Sequence, residues 1–141
     1  MKPAPKDWPR ISSALYYEDA PAAIDWLCRA FGFEVRVKIE GEGGRIEHSE
    51  LTYGEGLIMV GQAGLAHKPS YRKSPRSLDG ANTQNMMVYV DDIETHCDQA
   101  RKAGAKSFRS HKRLITEKSG GPIAVMNAKI SRAITGGLLS G

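Results

Sequence analysis

The sequence predicts an α+β protein: paired βαβββ modules forming a cup-shaped mixed sheet, with the second module incomplete at its C-terminal end. Three observations carry this expectation. A helix-capping aspartate and a helix-ending glycine stand 13 residues apart twice, at Asp19/Gly32 and at Asp91/Gly104. A strand-like run precedes each pair, Ile11 to Glu18 and then Asn85 to Val90. At a period of 72 residues, Leu15 falls on Met87, Tyr17 on Tyr89, Ile24 on His96 and Cys28 on Ala100. One βαβββ unit cannot cover its own sheet, so two copies side by side are the natural physical solution.

The elements follow in order. Ile11 to Glu18 alternates as a strand, and Asp19 caps a helix with Pro21 in its first turn, where a missing N–H costs little. Ile24, Leu27, Cys28 and Phe31 recur at i, i+3, i+4 and i+7 as one apolar stripe, and Gly32 supplies the left-handed stop. Three strands follow, Glu34 to Ile39, Arg45 to Tyr53 and Leu57 to Gly61, separated by the turns Gly41 to Gly44 and Gly54 to Gly56. Module one thus spans about residues 11–61. A polar connector with Pro69 and Pro75 fills 62–83. Module two, 84–116, restarts with the strand Asn85 to Val90, a helix capped by Asp91 or Asp92, and a strand from Lys106 to Ile115. An atypical tail, 117–141, completes a single domain.

Composition excludes several classes. At 141 residues, 40% hydrophobic and 26% charged, the chain has enough apolar content for one ordinary core. Its net charge of +4 is mild, and the basic runs Lys68 to Arg76 and Lys102 to Lys118 lack the interleaved aromatics of a base-stacking surface. They read as solvated faces, and no nucleic-acid partner is expected. Cys28 and Cys97 are too few and too distant for a disulfide framework or a zinc site. No run is apolar enough to span a bilayer, and Met1 to Arg10 is polar and proline-rich, without a signal-peptide pattern. The expectation is a cytoplasmic protein with no membrane partner.

Three segments in this order, D-A-P-A-A-I-D-W-L-C-R-A-F-G-F-E-V from Asp19, H-S-E-L-T-Y-G-E-G-L-I-M-V-G from His48 and N-M-M-V-Y-V-D-D-I from Asn85, resemble the vicinal-oxygen-chelate superfamily, which contains glyoxalases, bleomycin-resistance proteins and dioxygenases. The resemblance covers roughly residues 11–116. It implies a cup between two modules and, in the metal enzymes, one ligand on each of four strands. Carried over by position, Ser12 and Asn85 stand where those enzymes offer His or Gln, and Met59 stands where they offer Glu. None suits a divalent metal that prefers imidazole or carboxylate. No metal ligand, no cofactor and no catalytic residue is therefore assigned.

Strand alternation describes the cup from the residues themselves. If Ser12 faces inward, Ala14 and Tyr16 do too, leaving Ser13, Leu15 and Tyr17 against the helix. The same rule places His48, Glu50 and Thr52 on the third strand, Met59 on the fourth, and Asn85, Met87 and Tyr89 on the second module. The candidate ligand pocket is thus Ser12, Tyr16, His48, Glu50, Met59, Asn85, Met87 and Tyr89. It suits an organic ligand with a polar or cationic group. His48 and Glu50 share a face, either as a base with its carboxylate partner or as the half-exposed polar face of an edge strand. His67 and His111 read as solvated, His96 as partly buried and hydrogen-bonded, Trp26 as packing, and Trp8 as an anchor for the leader.

The family ends its second module with two strands carrying a signature near Asp-Pro-Glu-Gly-His followed by aromatics. Here no aromatic or acidic residue follows Glu117. Back-translating Lys129 to Leu139 with permitted synonymous codons, and reading from each third base, can yield Asp-Leu-Glu-Gly-His-His-Trp-Trp-Leu-Ala. That peptide resembles the missing strand, so the tail reads as a frameshifted end, against a naturally divergent one. Ile123, Met126, Ile130 and Ala133/Ile134 fall at helical spacing behind Pro122, which predicts a helix near 123–134, or at least not the family's two antiparallel strands, although the β-branched Val125, Ile130 and Ile134 leave a strand open. The functional expectation is a small-molecule binding protein without metal-dependent turnover, forming a homodimer through its open edge. A metal-dependent lyase or dioxygenase is the first alternative, and an inactive remnant with only an assembly role is the second.

Overall fold

The computed structural model describes residues 1–81 and 84–105, and the backbone of 123–126. Module one is a four-stranded sheet covered on one face by a helix. Strand β1 (Ser13–Tyr17) leads to α1 (Ala20–Phe31), then β2 (Glu34–Glu40), β3 (Ile46–Tyr53) and β4 (Gly56–Gln62). The spatial order is β1-β4-β3-β2. β1 runs parallel to β4, and the other neighbours are antiparallel.

Local chemistry sets the limits of α1. The Asp19 carboxylate accepts from the Ala22 N–H, and Pro21 sits in the first turn. Gly32 closes the helix at φ 79°, a left-handed conformation that a side chain would strain. Ile24 and Leu27 are buried as the stripe predicts, with Ala20, Ala23, Trp26 and Ala30 beside them. They pack on Leu15, Tyr17, Leu51, Ile58 and Val60 of the sheet, while Cys28 and Phe31 are half-buried at the margin. Burial also pushes the Tyr17 phenol well above its usual range.

Module two docks through its helix. β5 (Met86–Tyr89) precedes α2 (Ile93–Lys102), whose N-cap is Asp92 rather than Asp91. The Trp26 indole N–H donates to the Ala103 carbonyl at 2.7 Å, and the Gln99 amide donates to the Arg29 carbonyl at 2.9 Å. Phe31 packs edge-on against Trp26 and in a tilted stack on His96. Trp26 is therefore packing, as expected, and also the hydrogen-bonded tie between modules.

Three expectations are corrected. The tail segment Ile123–Met126 is not helical but forms β6, antiparallel to β5, in a separate two-stranded sheet. An unpaired β5 edge offers a ladder of backbone hydrogen bonds, and the β-branched Ile123 and Val125 suit a strand better than a helix. β3 is no edge strand, because it lies between β4 and β2. His96 is half-buried, but among the described residues its Nε2 has no hydrogen-bond partner; its ring packs on Phe31 instead. The expected strand from Lys106 to Ile115, His111 and the remainder of the expected tail helix lie outside the described residues.

Candidate functional site

The face of the first sheet opposite α1 is the candidate cup. Leu15 and Tyr17 turn toward the helix, so Ala14 and Tyr16 turn away from it. Register places Ala14 and Glu50 on either side of Met59, and Val37 on the far side of Glu50. Tyr16 opposes Gly61, and its ring lies so close that a Cβ at Gly61 would meet it at 3.2 Å. The missing side chain lets the phenol lie over β4.

The polar centre is His48, Glu50 and Arg36. The His48 Nε2–H donates to the Glu50 carboxylate at 2.9 Å. The other Glu50 oxygen lies 3.5 Å from Arg36 Nε. Glu50 is only 7% exposed, so its charge depends on these two partners, whereas the His48 side chain is 40% exposed. A register shift between Val35 and Val37 turns Arg36 toward Glu50. Arg36 also donates to the Asp7 carbonyl at 2.7 Å, and its guanidinium lies 5.4 Å from the Trp8 ring centre. Trp8 anchors the leader onto the body in this way.

The connector meets the same face. The Arg72 guanidinium sits 5.2 Å from the Tyr16 ring centre, and among the described residues its buried Nε has no hydrogen-bond partner. Ser74 donates to Glu18 at 3.1 Å, and Arg76 lies 3.8 Å from the same carboxylate. At the connector's start, His67 is not merely solvated: it bonds Glu47 at 2.9 Å, beside Lys68 at 3.2 Å. Hydrogen bonds from Arg45 and His67 hold the Glu47 carboxyl down to about 2. Neither Arg36 nor Arg72 was a candidate from sequence. The bulge that turns Arg36 leaves no mark in the alternation of E-V-R-V-K-I-E, and Arg72 belongs to a basic run that reads as solvent-facing.

The structure brings Tyr16, His48, Glu50 and Met59 onto one face. Ser12 precedes β1 at the same sheet edge, its hydroxyl buried and without a partner among the described residues. Asn85, Met87 and Tyr89 are placed apart, on and next to β5. They border a cleft of about 1200 Å³ between the end of α1, the β3–β4 turn and α2, a cleft that none of the first five residues lines. Met86 and Val88 pack toward the core, which leaves Met87 and Tyr89 exposed at 60% and 57%.

The sequence profile of the Glyoxalase/Bleomycin resistance protein/Dioxygenase superfamily matches residues 10–118. The chain belongs to this superfamily. The match takes in the whole of module one, the connector, β5 and α2. Among solved structures, the chain is similar to TioX from Micromonospora sp. ML1, at 28% sequence identity over 69% of this chain and 73% of that one, with a TM-score of 0.48. No curated protein sequence matches significantly. Among the described residues, no helix is long and apolar enough to cross a membrane.

Proposed function

We propose that this superfamily member binds a small organic molecule on the cup face of its first sheet, without metal-dependent turnover. The observation that carries the reading is the His48–Glu50–Arg36 cluster: a buried, doubly partnered carboxylate beside a half-exposed imidazole, flanked by Tyr16 and Met59. A few fixed polar groups among apolar and aromatic surface are what a small-molecule site requires. Calorimetric titration against a panel of small polar aromatic compounds tests it. Binding lost in Met59→Arg, with wild-type folding retained, is the expected result; binding unaffected by that substitution would sink the proposal.

The donor set does not fit a divalent metal. The family's ligand positions carry a hydroxyl at Ser12, a thioether at Met59 and an amide at Asn85, and the carboxylate nearest Met59 is already paired with a guanidinium. Another cation beside Arg36 would meet like-charge repulsion. Protein purified without chelator is expected to carry less than one equivalent of zinc, nickel, iron or manganese by elemental analysis. A full equivalent whose removal abolishes an activity would favour the lyase or dioxygenase reading. The same proposal includes a cytoplasmic homodimer: exposed Met87 and Tyr89 on β5 support self-association, and free Cys28 and Cys97 suit a reducing compartment. Light scattering at micromolar concentration checks the assembly.

A further inference from the structure

The charges of the cup face do not balance, and the imbalance has a location. Glu50 is matched by Arg36 and His48. Glu47 is matched by Arg45, His67 and Lys68, and Glu18 has Ser74 and Arg76 beside it. Arg72 differs from its neighbours. Among the described residues no carboxylate lies within ion-pair distance of it, and its buried Nε–H meets no acceptor. Its guanidinium carbon lies 5.2 Å from the centre of the Tyr16 ring, a cation–π contact that uses none of its N–H donors. Tyr16 is itself fixed over Gly61. The β4 backbone, the phenol and the guanidinium thus lie in succession at the border of the cup face.

A buried N–H without a partner is unfavourable, and an acceptor brought to it by a ligand would relieve that cost. A guanidinium fork matches two carboxylate oxygens in one plane. We propose that Arg72 anchors the carboxylate of an organic acid whose apolar body lies over Met59. The inference rests on the cup as the binding face, and it gives that reading a ligand class. It also narrows the expectation from sequence, a ligand with a polar or cationic group, to one whose polar group is an anion. Glu50 is the only carboxylate of the polar centre, and it is already neutralised by Arg36 and His48. An incoming ammonium would have to displace one of them.

The test uses the full chain and three probes of matched shape: 4-hydroxybenzoate, 4-hydroxybenzamide and 4-hydroxybenzylamine, each titrated to millimolar concentration while amide shifts are followed by NMR. The expected result is that the carboxylate binds at least about tenfold more tightly than the other two, because a charge-assisted fork is worth more than neutral hydrogen bonds. Its shifts should centre on Tyr16, Met59 and Gly61. Arg72→Met should abolish the preference, and Arg72→Lys should restore part of it, which a purely structural role for Arg72 would not produce. Equal binding of all three probes at Met59 and Glu50 overturns the Arg72 assignment and leaves the cup standing. Arg72-dependent binding of the carboxylate that leaves Met59 and Glu50 unshifted overturns the placement over Met59 and, with it, the cup reading. Silence from all three sinks both.

Discussion

Replacing Glu50 by Gln keeps the shape of the polar centre and removes its only negative charge. At 3.5 Å from Arg36 Nε, the Coulomb attraction at an effective dielectric of 20 is about 5 kcal/mol before desolvation. Two offsets reduce it. The Arg36 side chain is 30% exposed and so is partly screened. A buried amide also avoids the desolvation that a buried carboxylate suffers. The net value of the ion pair is then about 1 kcal/mol, and weakening the hydrogen bond from His48 adds roughly another 0.5–1 kcal/mol. Glu50→Gln should therefore lower the unfolding free energy by about 1–2 kcal/mol in urea at neutral pH, with the denaturant slope unchanged. A double-mutant cycle with Arg36→Met should return a coupling near 1 kcal/mol. Because Arg36 also bonds the Asp7 carbonyl and carries Trp8, the Arg36→Met single variant should additionally raise hydrogen exchange in the leader. A coupling below about 0.3 kcal/mol, or a Glu50→Gln variant more stable than wild type, would refute the account of Glu50 as a carboxylate held by two partners.

Three other perturbations follow from contacts already described. Trp26→Phe removes the indole donor to the Ala103 carbonyl and opens space in a side chain only 4% exposed; a loss of about 2–4 kcal/mol is expected in urea, with amide exchange rising in α2 before α1. His96 is held below its ordinary value by burial. Its unfolded form therefore binds more protons, so stability present above pH 6.5 falls as pH drops through 6.5 toward the folded value, and His96→Phe should flatten that part of a melting-temperature profile. Glu47, held at about 2 against an ordinary 4.5, contributes stability above 4.5 that is lost as pH falls toward 2. Limited proteolysis near Lys68 should accelerate across that window, and Glu47→Gln should already be cut quickly at neutral pH.

Local chemistry made module one legible. Asp19, the 3.6-residue stripe and Gly32 specify α1 with few alternatives, and β1 through β4 lie within two residues of the positions their alternation predicts. The inward set Tyr16, His48, Glu50 and Met59 follows from the same period of two. Information ran out wherever a side chain's partner lies far along the chain. The Arg36–Glu50 pair needs a bulge, and Arg72 on Tyr16 joins positions 56 apart in a connector without periodicity. His67 illustrates the same limit: one histidine in a basic segment looks solvated until the Glu47 opposite it is known. The tail misled for another reason. Helical spacing in a weakly apolar segment is a faint signal, and an unpaired β5 edge outweighs it.

The direction of β6 bears on the tail's origin. At the 72-residue period, Ile123–Met126 corresponds to the end of β3, not to β4. β3 runs antiparallel to β1's direction, since β1 is parallel to β4 and β4 antiparallel to β3. β6 runs antiparallel to β5 in the same sense. It therefore has the orientation of a third strand, but it pairs directly with the first, in the place that β4 takes in module one. The counterpart of β4 would fall at about residues 128–134, where the shifted peptide Asp-Leu-Glu-Gly-His-His-Trp-Trp-Leu-Ala begins. A chain in which that peptide replaces Lys129 to Leu139 should insert a strand parallel to β5 and move β6 one place outward. Half-burying two tryptophans corresponds to about 4–6 kcal/mol before ordering costs. Urea unfolding should rise by at least about 1 kcal/mol after those costs, and the amides of Met86–Tyr89 should become protected from exchange. A replaced chain no more stable than the natural one, with β5 exchange unchanged, would show that the tail is the genuine end of this fold and that β6 sits where the sequence intends it.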